Sequence, residues 1–180
     1  MRKVLFIFGQ LNDDDVEWMI DSGGRKFVAA SSVLIRQGEP VDSVFIVLEG
    51  RLSVHLATQG DREIARLQAG EMVGEMSFLD ARPPSATVRA MDDFLVFVLF
   101  RPVLAAKLEE DLGFAARFYR SLVIYLSNNL RERHRLMGYG EKLDLDADVD
   151  DVDELDPNVL DNVSLAGERF DRMLRRVTSA

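Results

Sequence analysis

Between Val73 and Ala90 the chain gathers residue types suited to holding a small polar ligand: Gly74, Glu75, Met76 and Ser77 in one run, then Arg82, Ser85, Ala86 and Thr87. Glycine lets a main chain come close to a ligand, and the free N–H groups at a helix start favour an anion. Gly74 through Ser77 are placed to supply both. A carboxylate such as Glu75 is a poor phosphate partner and a good acceptor for a hydroxyl. Ser85 and Ala86 offer further N–H donors, and Ser85 a hydroxyl. Arg82 is the one cation among these eight residues, but Pro83 and Pro84 stiffen the chain after it, so a surface position is the simpler expectation. No nucleophile stands beside a plausible base, and no metal cluster or hydrolase-type phosphate loop is present, so the expectation is a binding module rather than an enzyme.

The elements that must position these residues are legible as a pattern. Asn12 before Asp13, Asp14 and Asp15, with Val16, Met19 and Ile20 following, reads as a capped short helix stopped at Gly23 and Gly24. From Arg25 to Phe100, apolar runs of four to seven residues alternate with glycine or polar turns, the mark of an all-β sandwich or barrel. Leu52, Val54 and Leu56 share one face of a strand, which leaves His55 as a solvated residue on the other. His134 lies in an arginine-rich helix end with no second metal ligand apparent. Pro102 fits the first turn of a helix running to about Glu110, and residues 111–137 read as one long helix. Phe114, Phe118, Leu122, Tyr125, Leu126 and Leu130 recur on it at helical spacing; this stripe must be buried, either on the β-body or on a second copy of the helix, and we take it as the candidate surface for a homodimer.

The order Gly74-Glu75 to Ser85-Ala86-Thr87-Val88 resembles the phosphate-binding cassette of the cyclic-nucleotide-binding domain family, the β-roll of catabolite activator protein and of protein kinase A regulatory subunits. Leu34-Ile35, Gly38-Glu39, Val44-Phe45-Ile46-Val47 and Gly50 match the strand-turn-strand signature that opens the same roll. The resemblance covers roughly residues 5–137. It implies an eight-stranded double-stranded β-helix, a jelly-roll-like β-roll, flanked by a short N-terminal and a long C-terminal helix. It also implies cyclic AMP or cyclic GMP as candidate ligands, with Glu75 accepting from the ribose hydroxyl. No cofactor beyond such a ligand is expected. One position departs from the family: where it places the arginine that pairs with the cyclic phosphate, this chain has Pro84. The expected function is a regulatory module sensing a cyclic nucleotide, or a related phosphorylated molecule, weakly or with altered specificity. The alternative is a vestigial pocket on an accessory subunit that acts through its long helix and tail.

Composition bounds the remainder. The 180 residues include no cysteine and carry a net charge of −9, which argues against a surface built to neutralise nucleic-acid phosphates. Residues 1–137 carry a net of −2 and residues 138–180 a net of −7. The apolar run Val4 to Phe8 is too short for a signal peptide, which needs about 7 to 15 such residues, and nothing approaches the roughly 20 of a membrane span. A cytoplasmic protein with neither DNA nor membrane as partner is expected. Residues 138–163 read as an acidic linker. Asp146, Asp148 and Asp150 have calcium-loop spacing, but Asp151 and Pro157 stand where such a loop needs glycine and glutamate. Residues 164–180 read as a short amphipathic helix, with Phe170, Met173, Leu174 and Val177 on one face, tethered as a docking element rather than part of the core, for a groove on the same assembly or on a protein partner.

Overall fold

The computed structural model describes residues 3–138 and 163–179. Two short helices lead in, α1 (Val4–Phe8) and α2 (Asp13–Ser22). Eight strands follow: β1 (Gly24–Val28), β2 (Val33–Ile35), β3 (Ser43–Glu49), β4 (Arg51–Leu56), β5 (Arg62–Gln68), β6 (Met72–Val73), β7 (Thr87–Ala90) and β8 (Phe94–Phe100). Helix α3 (Glu75–Asp80) interrupts them between β6 and β7, and α4 (Arg101–Glu110), α5 (Leu112–Gly138) and α6 (Val163–Ser179) follow among the described residues. The strands pair antiparallel in two sheets of four, in the orders β1-β8-β3-β6 and β2-β7-β4-β5. This is the expected β-roll. Strand alternation supplies its core: Leu52 and Val54 of β4 and Val88 of β7 face Phe45, Val47 and Val96 of the other sheet.

The helices start where the sequence places their signals. Asn12 Oδ1 accepts from the Asp15 N–H and Asp15 returns a bond to the Asn12 N–H, each at 2.8 Å, a reciprocal capping box. Asp15 then does a second job, because Arg117 of α5 grips its carboxylate through Nε and Nη2 at 2.6 and 2.7 Å. That fork fixes the register of α5 on α2. Asp111, between α4 and α5, accepts from the Phe114 N–H at 2.8 Å and so opens the long helix.

Two expectations are corrected here. Phe114, Phe118, Leu122 and Tyr125 are at most 2% exposed, packed with α1, α2 and α6 in one cluster, so this stripe is the chain's own core and not a surface for a second copy. Of the six candidates, Leu126 is half-buried and Leu130 is 55% exposed. The helix from Val163 is not held apart from the core either. Ala166, Phe170, Met173 and Val177 are buried in the same cluster as Val4, Ile7 and Phe8, and the Phe170 ring meets Phe8 edge-on at 5.9 Å. A ladder of ion pairs lies alongside: Arg169 with Asp13, Arg172 with Glu17, and Arg176 with Glu17 and Asp21. Arg25 of β1 donates to the carbonyls of Val177 and Thr178 and so caps the C-terminal end of α6. The acidic face of α2 is what an arginine-striped amphipathic helix complements, and the apolar run Val4 to Phe8 is what it covers. With that face buried inside the chain, it is not available to a protein partner.

Candidate functional site

Gly74 adopts φ 90°, and a Cβ there would stand 2.8 Å from the Ser43 carbonyl oxygen. Any side chain would clash with β3, so glycine is required to turn β6 into α3. Helix α3 is six residues long and carries Glu75 and Ser77 inward, both buried, while Met76 is 57% exposed. A helix this short has little dipole to offer an anion. The Ile35 Cδ1 lies 3.7 Å from the same point above Gly74, and Ile35 pairs with Val88 of β7, so β2 brings the two halves of the segment 73–90 to one place.

The second half is held by a turn. The Gly38 N–H donates to the Pro84 carbonyl at 2.9 Å, the Gln37 N–H donates to Thr87 Oγ1 at 3.1 Å, and Gln37 Oε1 accepts from the Ala57 N–H at 2.9 Å. Thr87 is buried, Ser85 is exposed and Ala86 packs on the roll's core. Pro84 is therefore part of a fixed turn and presents no donor. Arg82 points away: its side chain is 83% exposed and its guanidinium lies 3.9 Å from Asp80. The expectation of a surface position for Arg82 agrees with this placement.

The long helix reaches the site through one side chain that sequence reading assigned to a dimer surface. The Tyr125 hydroxyl donates to the Met72 carbonyl and accepts from the Met72 N–H, both at 3.0 Å, two residues before Gly74. Burial first, and then the charges of Glu75 and Glu71, push its ionisation far above the usual phenol range, so it remains a donor at any physiological pH. Lys3, ahead of α1, joins the same region, with Nζ 2.7 Å from Glu71 and 2.9 Å from Glu132 of α5. Those two carboxylates outweigh the burial that opposes the charged form, and the Lys3 ammonium is held above its ordinary pKa. Nothing in the local sequence at Lys3 or Tyr125 signals these contacts, because each partner lies in a distant element.

Elsewhere His55 is engaged rather than simply solvated: one ring nitrogen lies 2.9 Å from Ser53 Oγ and the other 3.0 Å from the Asp61 carbonyl. Among the described residues no group of His, Cys, Asp and Glu could hold a metal ion, and the calcium-spaced aspartates lie outside them. No helix among the described residues is long and apolar enough to cross a membrane.

The β-roll with a glycine-initiated cassette between β6 and β7 is similar to the cyclic nucleotide-binding domain family, whose model matches residues 25–111. The chain is 28% identical over 137 residues to a cAMP-dependent protein kinase regulatory subunit of Blastocladiella emersonii, covering 73% of this chain and 34% of that one. It is 30% identical over 98 residues to the cyclic AMP receptor protein of Thermus thermophilus, covering 53% of this chain and 45% of that one. It thus spans between a third and a half of these two relatives' lengths. Among solved structures, a cyclic nucleotide-binding domain from Methylobacillus flagellatus superposes with a TM-score of 0.68 at 23% identity, over 78% of this chain and 84% of that one. That likeness is one of fold.

Proposed function

We propose that the chain is a non-enzymatic regulatory module whose cassette has altered specificity and engages cyclic AMP or cyclic GMP weakly. One observation carries this reading: the position of the phosphate arginine is Pro84, locked to Gly38, while Arg82 stands exposed beside Asp80. A phosphate left without its charged partner in a partly dry site loses about 2 to 5 kcal/mol, and each 1.4 kcal/mol is about tenfold in affinity. A ligand that does bind has a route to the long helix through Met72 and Tyr125. Titration calorimetry of the wild type and Pro84→Arg against cyclic AMP and cyclic GMP tests the reading, which requires a gain in the variant.

A second reading, an accessory subunit acting through α5, has its own support. Leu112, Ala116, Tyr119, Val123, Leu126 and Leu130 recur at alternating spacings of four and three, the spacing of a coiled-coil seam. Leu112 is 78% exposed and Val123 66%. This face, one step around the helix from the buried stripe, fits a second copy of α5, and a homodimer is compatible with either reading.

A further inference from the structure

We propose that Lys3 is a positioning residue of the cassette: its ammonium clasps the C-terminal part of α5 to the turn that leads into Met72 and Gly74, and so sets how firmly the site holds a ligand. The inference rests on the reading of the cassette as a ligand site and deepens it by naming what governs that site's grip. Two carboxylates from distant elements meet on this one cation, Glu71 at 2.7 Å and Glu132 at 2.9 Å. Glu71 is a fixed member. Its carbonyl accepts from the Val47 N–H of β3 at 2.9 Å, and its second carboxylate oxygen accepts from the Gln68 N–H at 2.9 Å. Lys3 is fixed as well, because the next residue, Val4, donates its N–H to the Gly70 carbonyl. The adjustable member is Glu132. Tyr125, two helical turns earlier, is buried, whereas Leu126 is half-buried and Leu130 is 55% exposed. Apolar packing therefore weakens along α5 just where the ionic clasp takes hold.

Removing the Lys3 charge would leave two carboxylates facing each other, and the Glu71 side chain is only 6% exposed, so water screens it poorly. Their repulsion moves the member that is free to move, which is Glu132, and α5 goes with it. Met72 feels the displacement, because the Tyr125 hydroxyl on the same helix holds both its N–H and its carbonyl. A lead-in that is no longer held must be ordered when a ligand arrives, and that cost weakens binding. Taking away the Glu132 charge as well removes the repulsion. A charge clasp and a packing contact thus differ in one respect: only the clasp is rescued by the second substitution.

The test is amide hydrogen exchange on the full chain, read by NMR at the Met72 N–H and at the buried Val96 N–H of β8, without ligand. Lys3→Met, or Lys3→Gln should that variant fold poorly, is expected to speed exchange at Met72 about tenfold or more and leave Val96 unchanged. Lys3→Arg should behave as the wild type, and Lys3→Met/Glu132→Gln should recover most of the protection. Calorimetry with cyclic AMP in the Pro84→Arg background should follow the same order, with Lys3→Met weakening binding about fivefold or more and Glu132→Gln restoring it. Unchanged exchange at Met72, equal acceleration at Met72 and Val96, or a loss that Glu132→Gln does not rescue would each overturn the clasp. Affinity that ignores Lys3 while exchange responds would overturn its role toward the ligand. Absence of cyclic AMP binding by Pro84→Arg would overturn the sensing function, and the exchange data would still decide the clasp.

Discussion

Tyr125 and Met72 are joined twice, the hydroxyl donating to the carbonyl and accepting the N–H at 3.0 Å each way. This doubled bond makes the mid-point of α5 an extension of the strand that delivers the cassette, since Met72 and Val73 lead directly into Gly74. A shift of the cassette and a shift of the helix are then one event.

Tyr125→Phe keeps the ring and removes the hydroxyl, leaving a buried N–H and carbonyl of Met72 short of a partner. The loss should be about 1 to 3 kcal/mol of folding stability. Urea denaturation of the variant should show a lower midpoint at an unchanged slope; an unchanged midpoint would mean water replaces the hydroxyl without cost.

The outer stripe of α5 makes a prediction separate from the inner one. Val123→Glu should yield a folded monomer, because Val123 is 66% exposed, whereas Leu122→Glu should fail to fold, because Leu122 is fully buried. Light scattering with circular dichroism distinguishes the two outcomes. A wild type that is monomeric at tens of micromolar would contradict pairing through this face.

Helix α6 belongs to the core, so its loss should be costly. Phe170→Ala removes a ring that is 1% exposed and packed on Phe8, and should lose about 3 to 5 kcal/mol. Glu17→Gln should lose far less, since its pairs with Arg172 and Arg176 lie at the surface. Thermal melts compare them directly; equal losses would contradict a hold that is mainly apolar.

Acid should weaken the fold at its helix junctions. The carboxyl of Asp111 is held below its ordinary value of 3.8, by the Phe114 N–H first and then by Lys107. A depressed carboxyl stabilises the folded state above its unfolded pKa and loses that contribution as pH falls through the folded one. The melting temperature should therefore drop as pH falls below about 4, and less steeply in Asp111→Asn. A parallel decline in the two proteins would contradict the assignment.

The sequence made the β-roll readable because glycines, proline and strand alternation are local signals. Asn12 with Asp15, Pro102 and the order from Gly74 to Val88 each fall where the structure uses them. What could not be read is which face of an element meets which neighbour. Helix α5 carries two apolar stripes, one through Phe114, Phe118, Leu122 and Tyr125 and one through Leu112, Tyr119, Val123 and Leu130. Periodicity counts both alike, and only the docking of α1, α2 and α6 decides that the first is inside. Likewise the amphipathic character of 164–180 was plain, but its partner, the acidic face of α2, lies at the other end of the chain.

The central claim is that Pro84, in place of an arginine, removes the phosphate contact from an otherwise family-like cassette. Calorimetry with cyclic AMP on wild type, Pro84→Arg and Pro84→Arg/Glu75→Ala tests it most directly. The account predicts weak or undetectable binding by the wild type, a gain of at least tenfold in Pro84→Arg, and loss of most of that gain when Glu75 is also removed. Tight binding of cyclic AMP by the wild type would contradict it.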